Sequence, residues 1–125
     1  MKTHQKKVLI VEDDESIRKI IGIELKKEGI EVHEAINGEQ GLAMLEDLHP
    51  DLLLVDVIMP RMHGMDLIHK LREAEWGRKL PVIILTNFAD DPKVREIVAE
   101  AGYTLIKKAS VKLQELIQIV ISKLA

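Results

Sequence analysis

Five side chains with chemistry to offer each stand just after a short aliphatic run. Glu12 and Asp13 follow KVLIV, Asp56 follows DLLLV, Thr86 follows PVIIL and Lys107 follows YTLI. If the runs lie side by side, three carboxylates, a hydroxyl and an amine meet at one edge. Carboxylates packed within a few ångströms repel, and one of them is driven toward protonation unless a cation sits among them. The donors are all oxygen, without histidine or thiolate, which suits a hard divalent ion that keeps some of its waters, Mg2+ in particular, and disfavours zinc. A carboxylate beside such an ion can attack phosphorus, so Asp56 is the candidate for an aspartyl phosphate. Lys107 and Thr86 would then pair with and donate to the phosphoryl oxygens.

Each of these residues also has a plain structural reading. Glu12-Asp13-Asp14-Glu15 is an acidic stretch of the kind that opens a helix and complements its dipole. An Asp after a strand commonly caps a helix, and a Thr or Lys at a strand end is often structural or solvated. The joint placement of all five, each at a strand end in order, is what favours a site, and it depends on the elements that carry them.

Those elements alternate. Aliphatic runs at Lys7 to Val11, Ile30 to Ala35, Asp51 to Val55, Pro81 to Leu85 and Tyr103 to Ile106 are short, rich in branched residues and bounded by turn formers, as buried strands are. The second run alternates in polarity and reads as an edge. Helix-length segments separate them. Asp14 or Ser16 caps the first, which carries Ile17, Ile21 and Leu25 and ends at Gly29; Asn37 and Gly38 open the second, which Pro50 stops. The third follows Gly64, the fourth lies between the Asp91-Pro92 cap and Gly102, and the fifth is predicted to start at Ser110 and run to about Leu124. Five βα units in succession predict a three-layer α/β/α domain with a five-stranded parallel sheet, in the flavodoxin-like order 2-1-3-4-5. In such a sheet, sites collect at the carboxyl ends of the strands.

Composition narrows the functions. The chain has 125 residues, which predicts one domain over 1–125 without room for a second beside it. Eighteen Lys and Arg against 21 Asp and Glu, a net charge of -3, offer a nucleic-acid backbone or an anionic membrane no attraction. No cysteine is present, which excludes disulfides and thiolate chemistry and fits a reducing cytoplasm. No apolar run approaches the length of a secretory signal or a membrane helix.

The segments VLIVEDDES, DLLLVDVIMPRMHGMDLI, PVIILTN and LIKKAS resemble the receiver domain of two-component response regulators, and the likeness runs from about Lys7 to Leu124. Its most specific part is Asp56 to Gly64, where Pro60 and Gly64 shape the loop after the acceptor. The resemblance implies that Asp56 is the phosphoacceptor, that Asp13 ligates the metal directly and Glu12 through its outer shell, and that the Ile58 backbone carbonyl completes the metal site. Thr86 and Lys107 would hold the phosphoryl oxygens. It further implies a switch, not a turnover enzyme. Such a switch takes phosphate from a sensor histidine kinase or phosphotransfer protein and changes the surface made by its fourth helix, fifth strand and fifth helix for a downstream protein target or a second copy of itself. Against the family pattern, the lysine is followed by Lys108 where proline is usual. The position three before the lysine is Thr104, with Tyr103 one place earlier, where an aromatic is usual. Asn87 follows Thr86 where a small residue is usual.

Two other readings share parts of the pattern. A Mg-dependent phosphatase of the haloacid-dehalogenase type also forms an aspartyl phosphate, but needs Asp-x-Asp after its first strand, where this chain has Glu-Asp-Asp-Glu. A pseudo-receiver would keep the shape as a protein-binding module without accepting phosphate. The histidines His4, His33, His49, His63 and His69 show no ligand spacing and read as surface residues. Met59, Met62 and Met65 read as gap-fillers, Trp76 as a partly exposed loop or helix-end residue. In the last helix, Leu113, Leu116, Ile117, Val120, Ile121 and Leu124 form one core stripe, with Ile119 as a lone apolar residue off it.

Overall fold

The computed structural model describes residues 5–57 and 64–125. Strands β1 (Lys7–Val11), β2 (Glu31–Ala35), β3 (Leu52–Val55), β4 (Val82–Thr86) and β5 (Thr104–Lys107) alternate with helices α1 (Glu15–Lys27), α2 (Gly38–Leu48), α3 (Gly64–Leu71), α4 (Glu75–Lys79), α5 (Pro92–Ala101) and α6 (Leu113–Leu124). All strand pairs are parallel, in the order β2-β1-β3-β4-β5, as predicted. Among the described residues no helix is long and apolar enough to cross a membrane.

The sheet has this order because its centre is apolar on both faces. Every residue of β3 and β4 is buried, whereas β2 and β5 at the edges are half exposed. Alternation along each strand divides the core in two. Leu9, Val11, Leu53, Val55 and Ile84 pack on one side with Leu45, Leu67, Ile68 and Ile97. Val8, Ile10, Leu52, Leu54, Ile83 and Ile106 pack on the other with Ile21, Leu25, Leu116, Ile117 and Val120, so α1 and α6 cover that face.

Helix starts follow local chemistry. Asp14 accepts from the Ile17 amide, Asn37 from Gln40, and Asp91 from Lys93 and Val94. Helix α2 ends on His49 at φ 44°, because the proline that follows disfavours a helical conformation there. The His49 ring stacks on Trp76 with centroids 3.8 Å apart.

Three expectations change. The fifth predicted helix does not start at Ser110, whose amide closes a turn onto the Lys107 carbonyl; it starts after Lys112, whose amide donates to Glu115. The short α4 was not predicted, and it takes in Trp76. Ile119 is half-buried against the second core instead of standing free. With α4 counted, the surface assigned to the fourth helix, fifth strand and fifth helix is that of α5, β5 and α6.

Tyr103, just before β5, is buried in the first core, and its hydroxyl has no hydrogen-bond partner among the described residues. A buried hydroxyl left unpaired costs about 1–3 kcal/mol. Tyr103→Phe is therefore expected to raise stability by about 1 kcal/mol, measured as a higher urea midpoint at unchanged slope; a loss of stability would show that the hydroxyl is satisfied.

Candidate functional site

The register of the sheet assembles the site. β1 and β3 pair Val8 with Leu52 and Ile10 with Leu54. The next residues on the same face are Glu12 and Asp56, carried one step past the strands by bonds from the Glu12 amide to the Ala35 carbonyl and from the Asp56 amide to the Val11 carbonyl, both 3.1 Å. Both residues are buried, at 3% and 8% exposure, and the exposed Asp13 joins them. A carboxylate oxygen from each of the three lies within 4.8 Å of the others. Asp14, next in the acidic run, is used as the helix cap, so the run divides between site and dipole.

The ammonium at this cluster belongs to Lys108. Its Nζ lies 2.7 Å from Glu12 Oε1 and 2.7 Å from Asp56 Oδ2. Lys107, assigned this place from the sequence, is instead the last residue of β5 and is exposed. The reason is alternation: Ile106 points into the second core, on the face shared with Glu12 and Asp56, Lys107 points away, and Lys108 returns to that face. The Lys108 amide continues the ladder by donating to the Thr86 carbonyl at 3.0 Å. Counted from Lys108, the residue that follows is Ala109, and the position three before is Leu105, half-buried against the first core. Thr86 is fully buried and its Oγ1 accepts from the Phe88 amide at 3.1 Å. Ile58, Pro60, Met59, Met62, His4 and His63 lie outside the described residues.

Burial pushes the Glu12 carboxyl above its ordinary pKa. Hydrogen bonds from Lys108 and from the Asp14 amide act in the opposite direction, and the charge on Asp56 adds to the rise. Burial works to lower the Lys108 pKa, but its hydrogen bonds to Asp56 and Glu12 outweigh it, and the net shift is upward, so the ammonium stays charged. Among the described residues, one cation against three carboxylates leaves two negative charges on an all-oxygen donor set, the complement of a hard divalent ion.

One support escaped the sequence reading. Arg18 is buried on α1, donates from its guanidinium to the Glu12 carbonyl at 2.8 Å, and pairs with Glu34 at 2.9 Å, which fixes the backbone under Glu12. Its only signal was a polar residue one place after Ile17 on the apolar side of the helix. Gly64 packs where a Cβ would stand 2.5 Å from the Asp56 carbonyl oxygen and from Val57 Cα, so the returning chain fits against the Asp56 segment only without a side chain.

The profile of the response regulator receiver domain matches residues 8–121. The chain belongs to that family. Receivers are the phosphorylation-dependent switches of two-component signalling. A 14.6 kDa protein of Leptolyngbya boryana is 36% identical over 116 residues, 93% of this chain and 88% of that one. Transcriptional regulatory protein AfsQ1 of Streptomyces coelicolor is 36% identical over 84 residues, 67% of this receiver but 36% of the regulator's length. In Regulatory protein AtoC of Escherichia coli the matched region is 18% of the length, so the chain spans only a minor part of these two relatives. Among solved structures, a CheY-like receiver domain from Methanospirillum hungatei superposes with a TM-score of 0.83 at 31% identity, covering 97% of this chain and 94% of that one. Vibrio cholerae CheY4 gives 0.83 at 26% identity, covering 95% and 98%.

Removing one partner of a buried charge pair leaves the other uncompensated. Lys108→Met is therefore expected to cost about 2 kcal/mol in urea unfolding at neutral pH without divalent ions, whereas Lys107→Met leaves the midpoint in place; equal effects would refute the assignment. Gly64→Ala is expected to cost about 2 kcal/mol or more, since the atoms its methyl meets are backbone and cannot swing away.

Proposed function

We propose that this receiver accepts a phosphoryl group on Asp56 from the phosphohistidine of a sensor kinase or phosphotransfer protein, with Mg2+ held by Glu12, Asp13, Asp56 and the Ile58 carbonyl, the last outside the described residues. The observation that carries this reading is the meeting of three acidic oxygens with the Lys108 ammonium at one sheet edge. The bound metal supplies positive charge opposite the phosphoryl oxygens. The chain's own residues do the rest. The Asp56 carboxylate oxygen attacks phosphorus in line as the donor's P–N bond breaks, and the leaving imidazole takes a proton from solvent. Lys108, already 2.7 Å from the acceptor, follows the new charge and pairs with a phosphoryl oxygen. Burial of Asp56 at 8% exposure keeps these charges strong and limits the water that could hydrolyse the product.

The output is a population shift. Thr86 rotates its hydroxyl from the Phe88 amide toward the phosphoryl group, and the Lys108 amide, bonded to the Thr86 carbonyl, couples that movement to β5. The surface of α5, β5 and α6 then presents itself to a downstream protein target or to a second copy. The chain works in the cytoplasm, makes no direct contact with nucleic acid or membrane, and completes no turnover on a separate substrate.

Incubation with Mg2+ and a small acyl phosphate, followed by intact-mass measurement, tests the reading. One added phosphoryl group is expected on the wild type, none on Asp56→Asn or after chelation, and accumulation slowed about a hundredfold or more in Lys108→Ala but little changed in Lys107→Ala. A wild type that binds Mg2+ but takes up no phosphate would make the chain a pseudo-receiver, and steady release of phosphate from varied esters would make it a phosphatase.

A further inference from the structure

Lysine 108 has to reach its two carboxylates from beyond the end of an edge strand. β5 pairs only with β4, and its ladder ends at Thr86 opposite Lys107. Past that point the sheet gives one more bond, the Lys108 amide to the Thr86 carbonyl at 3.0 Å. A lysine side chain has four flexible carbons, so its ammonium settles between two acceptors only if its Cα is held.

We infer that Asn87 is the positioning residue that holds it. Asn87 Oδ1 accepts from the amide of Ala109 at 2.9 Å, across 22 residues of sequence. That amide belongs to the residue directly after Lys108, so the lysine is gripped on both sides of its Cα, by Thr86 through its carbonyl and by Asn87 through its side chain. The two grips are consecutive residues leaving β4, which makes the β4 exit a template for the β5 exit. Because an amide N–H needs an acceptor, the oxygen of the carboxamide faces Ala109. Asn87 touches none of the reacting atoms and acts only through where Lys108 stands. Asn87 and Ala109 are both exposed and lie past the strand ends, so their bond contributes to site geometry more than to the core.

The inference rests on the proposed phosphoryl transfer, and its test separates the two. Wild type, Asn87→Ala, Ala109→Pro and the double variant are compared for phosphorylation by a small acyl phosphate at saturating Mg2+, and hydrogen exchange of the Ala109 amide is followed by NMR. Loss of one such bond is expected to slow the rate constant at saturating donor about three- to tenfold, with the half-saturating donor concentration unchanged, and to speed exchange at Ala109 by a similar factor. Proline at 109 has no N–H to give, so adding Asn87→Ala to Ala109→Pro is expected to change the rate by less than about twofold. Unaltered phosphorylation in Asn87→Ala, or equal slowing in both backgrounds, overturns the inference. Should Ala109→Pro fail to fold, Asn87→Asp, which keeps the acceptor oxygen, decides: retained protection at Ala109 supports the latch and lost protection refutes it. A wild type that takes up no phosphate defeats the parent reading, while Ala109 exchange still judges the latch.

Discussion

Parallel pairing of β1 with β3 forces Glu12 and Asp56 onto one face at neighbouring strand ends, and the carboxyl edge of the sheet is organised around the repulsion this creates. Two carboxylate charges within 4.8 Å oppose each other by about 3.5 kcal/mol or more at an effective dielectric of ~20. The Lys108 ammonium between them offsets part of that, and the negative charge that persists is what a divalent ion would neutralise under the proposed function. A site that needs cations before it is at ease is also one whose electrostatics change sharply when a charged group arrives.

The rest of the fold holds that arrangement in place. The aliphatic centre of the sheet fixes the register, and register fixes which side chains meet. Arg18 fastens the Glu12 carbonyl from α1 and ties it to Glu34 of the edge strand β2, so the acidic edge is anchored from the side away from β5. Gly64 lets the chain come back against Asp56. On the opposite side, Thr86, Asn87 and Lys108 form a chain of bonds from the end of β4 to the end of β5. A phosphoryl group on Asp56 would therefore act on a lysine whose backbone is bonded to the strand that carries the threonine, which is a short mechanical path to the α5, β5 and α6 surface.

Aliphatic alternation, the caps at Asp14, Asn37 and Asp91, and the acids after the first and third runs were enough to determine a five-stranded parallel sheet and to place Glu12, Asp13 and Asp56 at one edge, because these signals are local and repeat along the chain. Which lysine reaches the acids was not local. Lys107 and Lys108 are identical residues side by side, and only the pairing of β5 with β4 decides which of them faces Asp56, since one step along a strand turns a side chain to the opposite face. The same holds for Arg18 and Asn87, ordinary polar residues in sequence whose partners Glu34 and Ala109 lie 16 and 22 positions away and meet them only once the strands are aligned. Composition and spacing settle what each segment is; contacts between segments are settled by the packed sheet, because hydrogen bonds and charge pairs depend on distances that no single stretch of chain contains.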